Sequence, residues 1–226
     1  YRGLTSLMLG HLEEAIEYTI KALEINTDLG ILPGIAGNLS TLGEVYERMG
    51  IYEKSEEYFN KALNIYENIK DFMGKVRTSG DIGQLYLSCR RYSEAKELFE
   101  MVLSDERVIH LKRIWAIEMQ NLGFVFFRIK DFEKAIEKIN SAIPVFQNIE
   151  YYKGLTSAYG YLGNINLSLG NIDTGMEYFL MAFELCQKQG YLNNQVNLLF
   201  QMARIKRIQN LYKEALDLLT QMGEIL

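Results

Sequence analysis

The chain has 226 residues, 48% of them hydrophobic and 23% charged, which suits a soluble globular protein with enough chain to bury a large core. A net charge of −5 argues against direct affinity for nucleic acid, and no apolar run approaches the ~18 residues that a membrane span needs. Only two prolines interrupt the chain, so it can be almost wholly helical.

Taken in order, the apolar periodicity predicts helical pairs over roughly 1–27, 34–68, 72–107, 111–149, 151–189 and 191–226. The first pair begins midway through a helix at Tyr1, and the last stops at Leu226 inside or just after one. The chain is therefore expected to be one array of six pairs, the first truncated, and a segment of a larger protein. Leu4, Leu7 and Leu9 at one end and Leu216, Leu219 and Leu226 at the other look uncapped. Such ends favour end-to-end self-association. Pro33 fits the entry of the second pair. Pro144 lies inside the second helix of the fourth pair and predicts a kink or an early end. The connector before that pair, Val108-Ile109-His110-Leu111, lacks a glycine turn. Gly30, Gly34, Gly74 and Gly154 are read as connector residues elsewhere.

The pairs repeat with a fixed period. Gly3, Gly43, Gly83, Gly123 and Gly163 stand 40 residues apart, and Ala203 takes the sixth place. The turn position reads Gly10, Gly50, Arg90, Lys130, Gly170 and Asn210. The large residue of the second helix reads Thr19, Phe59, Phe99, Ile139, Phe179 and Leu219, between small residues such as Ala95 and Val102. Small residues let antiparallel helices approach where they cross, and the aromatic rings fill the space beside them. A turn residue with positive φ ends the first helix. One hairpin cannot bury its stripe alone, so hairpins stack.

Leu42-Gly43, Tyr46, Gly50, Tyr52, Ser55, Phe59 and Ala62 stand at signature spacings, and on them the chain resembles the tetratricopeptide repeat family. The resemblance covers nearly the whole chain. It implies an all-α solenoid, a right-handed superhelix of antiparallel helix pairs. The 40-residue period and the missing proline after the second helix resemble the longer subfamily found in bacterial regulators and polarity scaffolds.

Little in the sequence points to catalysis. His11 and His110 lie far apart without Cys or His neighbours, and no zinc spacing occurs. Gly74-Lys75 lacks the rest of a phosphate loop. Cys89 and Cys186, two repeats apart, read as small buried thiols in a reducing compartment, so a cytoplasmic setting is expected. Asn38-Leu39-Ser40 and Asn166-Leu167-Ser168 match a glycosylation sequon but fall inside helices. No enzyme activity, metal or cofactor is expected.

The resemblance instead implies a concave surface lined by first helices. Helical spacing puts Glu44 and Glu47 on that stripe in the second pair, with Arg77, Gln84 and Leu87 in the third. The fourth contributes Gln120, Phe124 and Phe127, the fifth Asn164 and Leu167, the sixth Arg204 and Arg207. Read as a site, these form a groove for a protein or peptide segment, with apolar anchors at its centre, acidic groups early and basic groups late. The alternative is that Leu87, Phe127 and Leu167 pack between adjacent first helices. A clamp for a chain-terminal carboxylate is not expected, since Gly160 rather than lysine precedes Asn164 by one turn. Two functions follow from the resemblance. One is a protein-interaction scaffold. The other is the sensor domain of a bacterial signalling or transcription-regulating protein.

Overall fold

A computed structural model describes residues 5, 7 and 10–225. Among them the chain is all-α, with eleven α-helices and one 3-10 turn. The helices are α1 (Leu12–Asp28), α2 (Leu32–Arg48), α3 (Tyr52–Asn68), α4 (Phe72–Ser88), α5 (Tyr92–Ser104), α6 (Lys112–Arg128), α7 (Phe132–Asn148), α8 (Tyr152–Ser168), α9 (Ile172–Gln189), α10 (Leu192–Ile208) and α11 (Tyr212–Ile225). Two helices of 17 residues, each followed by a short turn, account for the repeat period. None of the described helices is long and apolar enough to cross a membrane.

The chain forms two compact units, Tyr1–Asp105 and Glu106–Leu226. In the first, each of α1 to α5 packs on the next, and α2 also touches α4. In the second, each of α6 to α11 packs on the next, and α6 also touches α8. The second unit opens with the 3-10 turn Glu106–His110, whose Val108 is buried, where a glycine turn is missing from the sequence.

The turns form as their position predicts. Gly10, Gly50, Arg90, Lys130, Gly170 and Asn210 all have positive φ. At each of the last five, the following N–H reaches the carbonyl five residues back, as Ile51 does to Tyr46 at 2.9 Å and Asp131 to Phe126 at 2.9 Å. That bond satisfies a carbonyl the helix end would leave unpaired, so even arginine and lysine are held in the left-handed region.

The signature glycines have a contact reason. A Cβ on Gly43 would lie 2.7 Å from the Phe59 ring, on Gly83 2.4 Å from Phe99, and on Gly163 2.8 Å from Phe179. The three phenylalanines are buried, as their shared position predicts. Ser55 ties the same crossing by donating to the Gly43 carbonyl at 2.8 Å.

Several expectations need correction. Gly34, Gly74 and Gly154 are not connector residues but lie in the first turns of α2, α4 and α8. A Cβ there would meet Asn26 at 2.6 Å, Tyr66 at 2.2 Å and Tyr151 at 2.6 Å, so these glycines admit side chains of the preceding helix and turn. Helix α7 does not end early at Pro144 but runs on to Asn148, held by the buried Ala142 and Phe146 on either side. Cys89 is only half-buried, because it is the C-cap of α4. Leu7 is buried against Ala15 and Val45 rather than exposed at an end. Leu216 and Leu219 of α11 are exposed, and Leu4, Leu9 and Leu226 lie outside the described residues.

Candidate functional site

The first unit carries a groove of about 720 Å³. Tyr18, Lys21 and Asn26 of α1 form one wall, and Arg77, Thr78 and Asp81 of α4 another. Gly37, Asn38, Ser40 and Glu44 of α2 make the floor, and Tyr66 of α3 closes one end. The glycines shape it. Gly74 lets the Tyr66 ring lie against α4. A Cβ on Gly37 would meet only the Tyr66 hydroxyl, at 3.7 Å, so the floor stays open. Asp71 caps α4 by accepting from the Gly74 N–H at 3.0 Å, and the Ser40 and Thr78 hydroxyls, 3.3 Å apart, join α2 to α4.

The polar groups of this groove are unevenly satisfied. The Asn38 side-chain nitrogen is buried and has no hydrogen-bond partner. A buried donor left unpaired costs about 1–3 kcal/mol, which a ligand carbonyl would recover. Burial pushes the half-buried Glu44 carboxyl above its ordinary range, and Glu47 adds to this, while Arg48 and Arg77 oppose it. Burial also raises Glu47, against a hydrogen bond donated by Ser88 at 2.8 Å. Burial raises the Tyr66 phenol too. The groove thus presents an unpaired amide and a desolvated carboxylate beside the exposed Arg77.

In the second unit an aromatic cluster joins α6, α7 and α8. Phe124 lies 4.8 Å from Tyr161 and 6.1 Å from Phe127, and Phe127 lies 6.2 Å from Phe132. The Arg128 guanidinium sits over the Phe124 ring at 5.7 Å. Phe124 and Phe127 remain partly exposed.

The residues singled out by spacing therefore divide. Glu44 and Arg77 line one groove, with Glu47 one turn further along α2. Phe124 and Phe127 share one cluster. Leu87 and Gln120 offer no surface. Leu87 is 6% exposed, and Gln120 is buried, donating to the Gly154 carbonyl at 3.2 Å. Helix rotation turns both inward, so they pack between helices. Leu167 packs across its own hairpin, 2.9 Å from where a Cβ on Gly175 would lie. Asn164 donates to the Gly160 carbonyl in its own helix at 2.9 Å. Gln84, Arg204 and Arg207 are exposed, and Arg204 donates to Gln201 at 2.9 Å.

Asn38 and Tyr66 were not among the residues that spacing singled out. Asn38 shares its repeat position with Thr78, Glu118, Ala158 and Leu198, a row that otherwise turns toward the core. Thr78 and Glu118 in that row are polar as well and are buried, so polarity alone does not single out Asn38. Tyr66 lies on α3, a second helix, outside the first-helix stripe.

Residues 34–104 match the tetratricopeptide repeat family model, which is less than half of the chain. No curated protein matches the sequence. Among solved structures, BtubC (BKLC) from P. vanneervenii is similar with a TM-score of 0.77 and 18% identity, over 95% of this chain and 90% of that one. Aspartyl phosphate phosphatase F from Bacillus subtilis follows with a TM-score of 0.73 and 17% identity, over 99% and 68%. A Rap protein complexed with competence and sporulation factor has a TM-score of 0.71 and 17% identity, over 99% and 72%. At these identities the likeness establishes a tetratricopeptide-like fold.

Proposed function

We propose that the chain is a protein-interaction domain that binds an extended peptide segment in the groove between α1, α2 and α4. The observation that carries this reading is the unpaired amide of Asn38, which lies in the groove beside an open glycine floor. A peptide backbone carbonyl meets the Asn38 donor, and Glu44 and Arg77 choose among flanking side chains by charge. The family match over 34–104, which includes α2 and α4, supports it, since tetratricopeptide repeats are typically protein-interaction modules.

Gly37→Leu tests it with little risk to the fold. A Cβ at this position makes only an ordinary contact, with the Tyr66 hydroxyl at 3.7 Å, and leucine is a better helix former than glycine. A peptide selected on the wild type from a displayed library should lose at least about tenfold in affinity against Gly37→Leu, which equals about 1.4 kcal/mol. A selected peptide that binds Gly37→Leu as tightly as wild type would refute the groove.

A second reading makes the domain the sensor of a bacterial signalling or transcription-regulating protein. The similar Rap protein complexed with competence and sporulation factor favours it. A sensor changes shape on binding, so the selected peptide should alter the small-angle scattering profile; an unchanged profile leaves the scaffold reading.

A further inference from the structure

The floor of the groove between α1, α2 and α4 holds two polar side chains of α2 that the fold leaves unbonded. One is Asn38, whose buried side-chain nitrogen has no partner. The other is Glu44, which is half-buried and, among the described residues, enters no hydrogen bond or ion pair. Glu44 follows Asn38 by six residues. That is about 9 Å along the helix axis, which an extended chain covers in about three residues.

The groups around Glu44 do not offset its burial. Arg48, on the same helix, is exposed and donates to the Leu7 carbonyl at 2.8 Å. Arg77 of α4 acts on Glu44 through space, more weakly than Arg48 does. Lys21 of α1 is paired with Glu17. Glu47 of α2 adds a like charge, and Asp81 of α4 is a further acid on the wall. Tyr18 of α1 and Tyr66 of α3 complete the titratable lining, and burial raises the Tyr66 phenol. Burial outweighs both arginines, so the Glu44 carboxyl stays above its ordinary range. A carboxylate desolvated in this way gains from a cation brought to it. The exposed Arg77 is well solvated and gains little from an anion.

We propose that the segment taken by this groove carries a basic side chain, lysine or arginine, which docks on the Glu44 carboxylate about three residues from the backbone carbonyl received by Asn38. The inference rests on the peptide-groove reading above and adds the chemistry of its occupant. The carbonyl supplies the acceptor that the Asn38 nitrogen lacks, and the cation supplies the donor that Glu44 lacks. Binding is then linked to protons, because Glu44 must be ionised to hold the cation.

The test selects a displayed library of random peptides on wild-type protein and measures a recovered peptide by fluorescence anisotropy. Recovered sequences should share one lysine or arginine position. Replacing that residue by alanine should weaken binding to wild type at least about tenfold, but binding to Glu44→Gln less than about twofold. Glutamine keeps the shape of the side chain and removes a desolvated charge, so the variant should fold. Wild-type affinity for the basic peptide should also rise as pH climbs past the ordinary carboxylate range and Glu44 gives up its proton. That rise should be absent with the alanine peptide and with Glu44→Gln. Gly37→Leu separates the two readings. Suppose the peptides lose affinity for Gly37→Leu but share no basic residue, or their basic residue matters as much on Glu44→Gln as on wild type. Either result would overturn this inference and leave the groove standing. Peptides indifferent to Gly37→Leu, or a selection that recovers none, would overturn both.

Discussion

Replacing Phe99 by alanine should destabilise the first unit by about 3–5 kcal/mol. The ring is completely buried, and it fills the space that Gly83 leaves on α4. Its removal costs the transfer energy of the ring and leaves a cavity between α4 and α5 that two packed helices close only in part. Because a Cβ at Gly83 would lie 2.4 Å from the ring, Gly83→Ala should also destabilise. The two changes should not add. An alanine methyl at position 83 occupies part of the cavity left by Phe99→Ala, so the double variant should be more stable than the sum of the single losses. Urea denaturation of the four proteins measures this. Additive losses, or a Phe99→Ala variant that melts within a degree or two of wild type, would mean that the glycine and the ring do not form one unit of packing.

The second large effect is electrostatic. Glu118 on α6 is 5% exposed, and Asn121 donates to it at 3.3 Å. Burial pushes its carboxyl up to about 7, and the Asn121 hydrogen bond offsets only part of this. The folded value thus lies above the ordinary 4.5. Below pH 4.5 the group is neutral in folded and unfolded chains alike, and burial carries no charge penalty. Between pH 4.5 and 7 the unfolded chain releases this proton while the folded chain retains it, so stability falls as pH rises. Above pH 7 the full loss, on the order of 3 kcal/mol, is in place. Glu118→Gln removes the titration while keeping the shape. It should stabilise the protein by that amount at pH 8 and change little at pH 4. A stability difference between variant and wild type that is the same at both pH values would show that the Glu118 carboxyl does not titrate under this penalty.

Glu118 and Asn38 occupy one repeat position, and they mark what the sequence conceals. Where the repeat demands the same thing of every pair, the sequence is transparent. Arg90, Lys130 and Asn210 could be read as left-handed turns although none is glycine, because Gly10, Gly50 and Gly170 share their place. Phe59, Phe99 and Phe179 could be read as core on the same ground. Where glycine serves two purposes, the reading fails. Gly30 is needed for its positive φ, but Gly74 is needed so that Tyr66 can reach α4, and composition does not tell these apart. The binding face was harder still. Leu87 and Phe127 hold equivalent positions, yet one is buried and the other partly exposed. Their burial depends on neighbouring helices, which periodicity alone does not place. Tyr66, from a second helix, enters the groove only because Gly74 makes room for it.

The groove of the first unit is tested most directly by nuclear magnetic resonance of the intact chain titrated with a peptide selected on it. Binding in the groove predicts saturable shifts of the Asn38 side-chain NH₂ resonance and of the amides of Gly37, Glu44, Arg77 and Asp81. The outer residues of α3 and α5, such as Lys61 and Glu97, should stay unmoved. Shifts confined to those outer residues, with the Asn38 NH₂ unchanged at saturation, would contradict the account and place recognition on the opposite face of the helices.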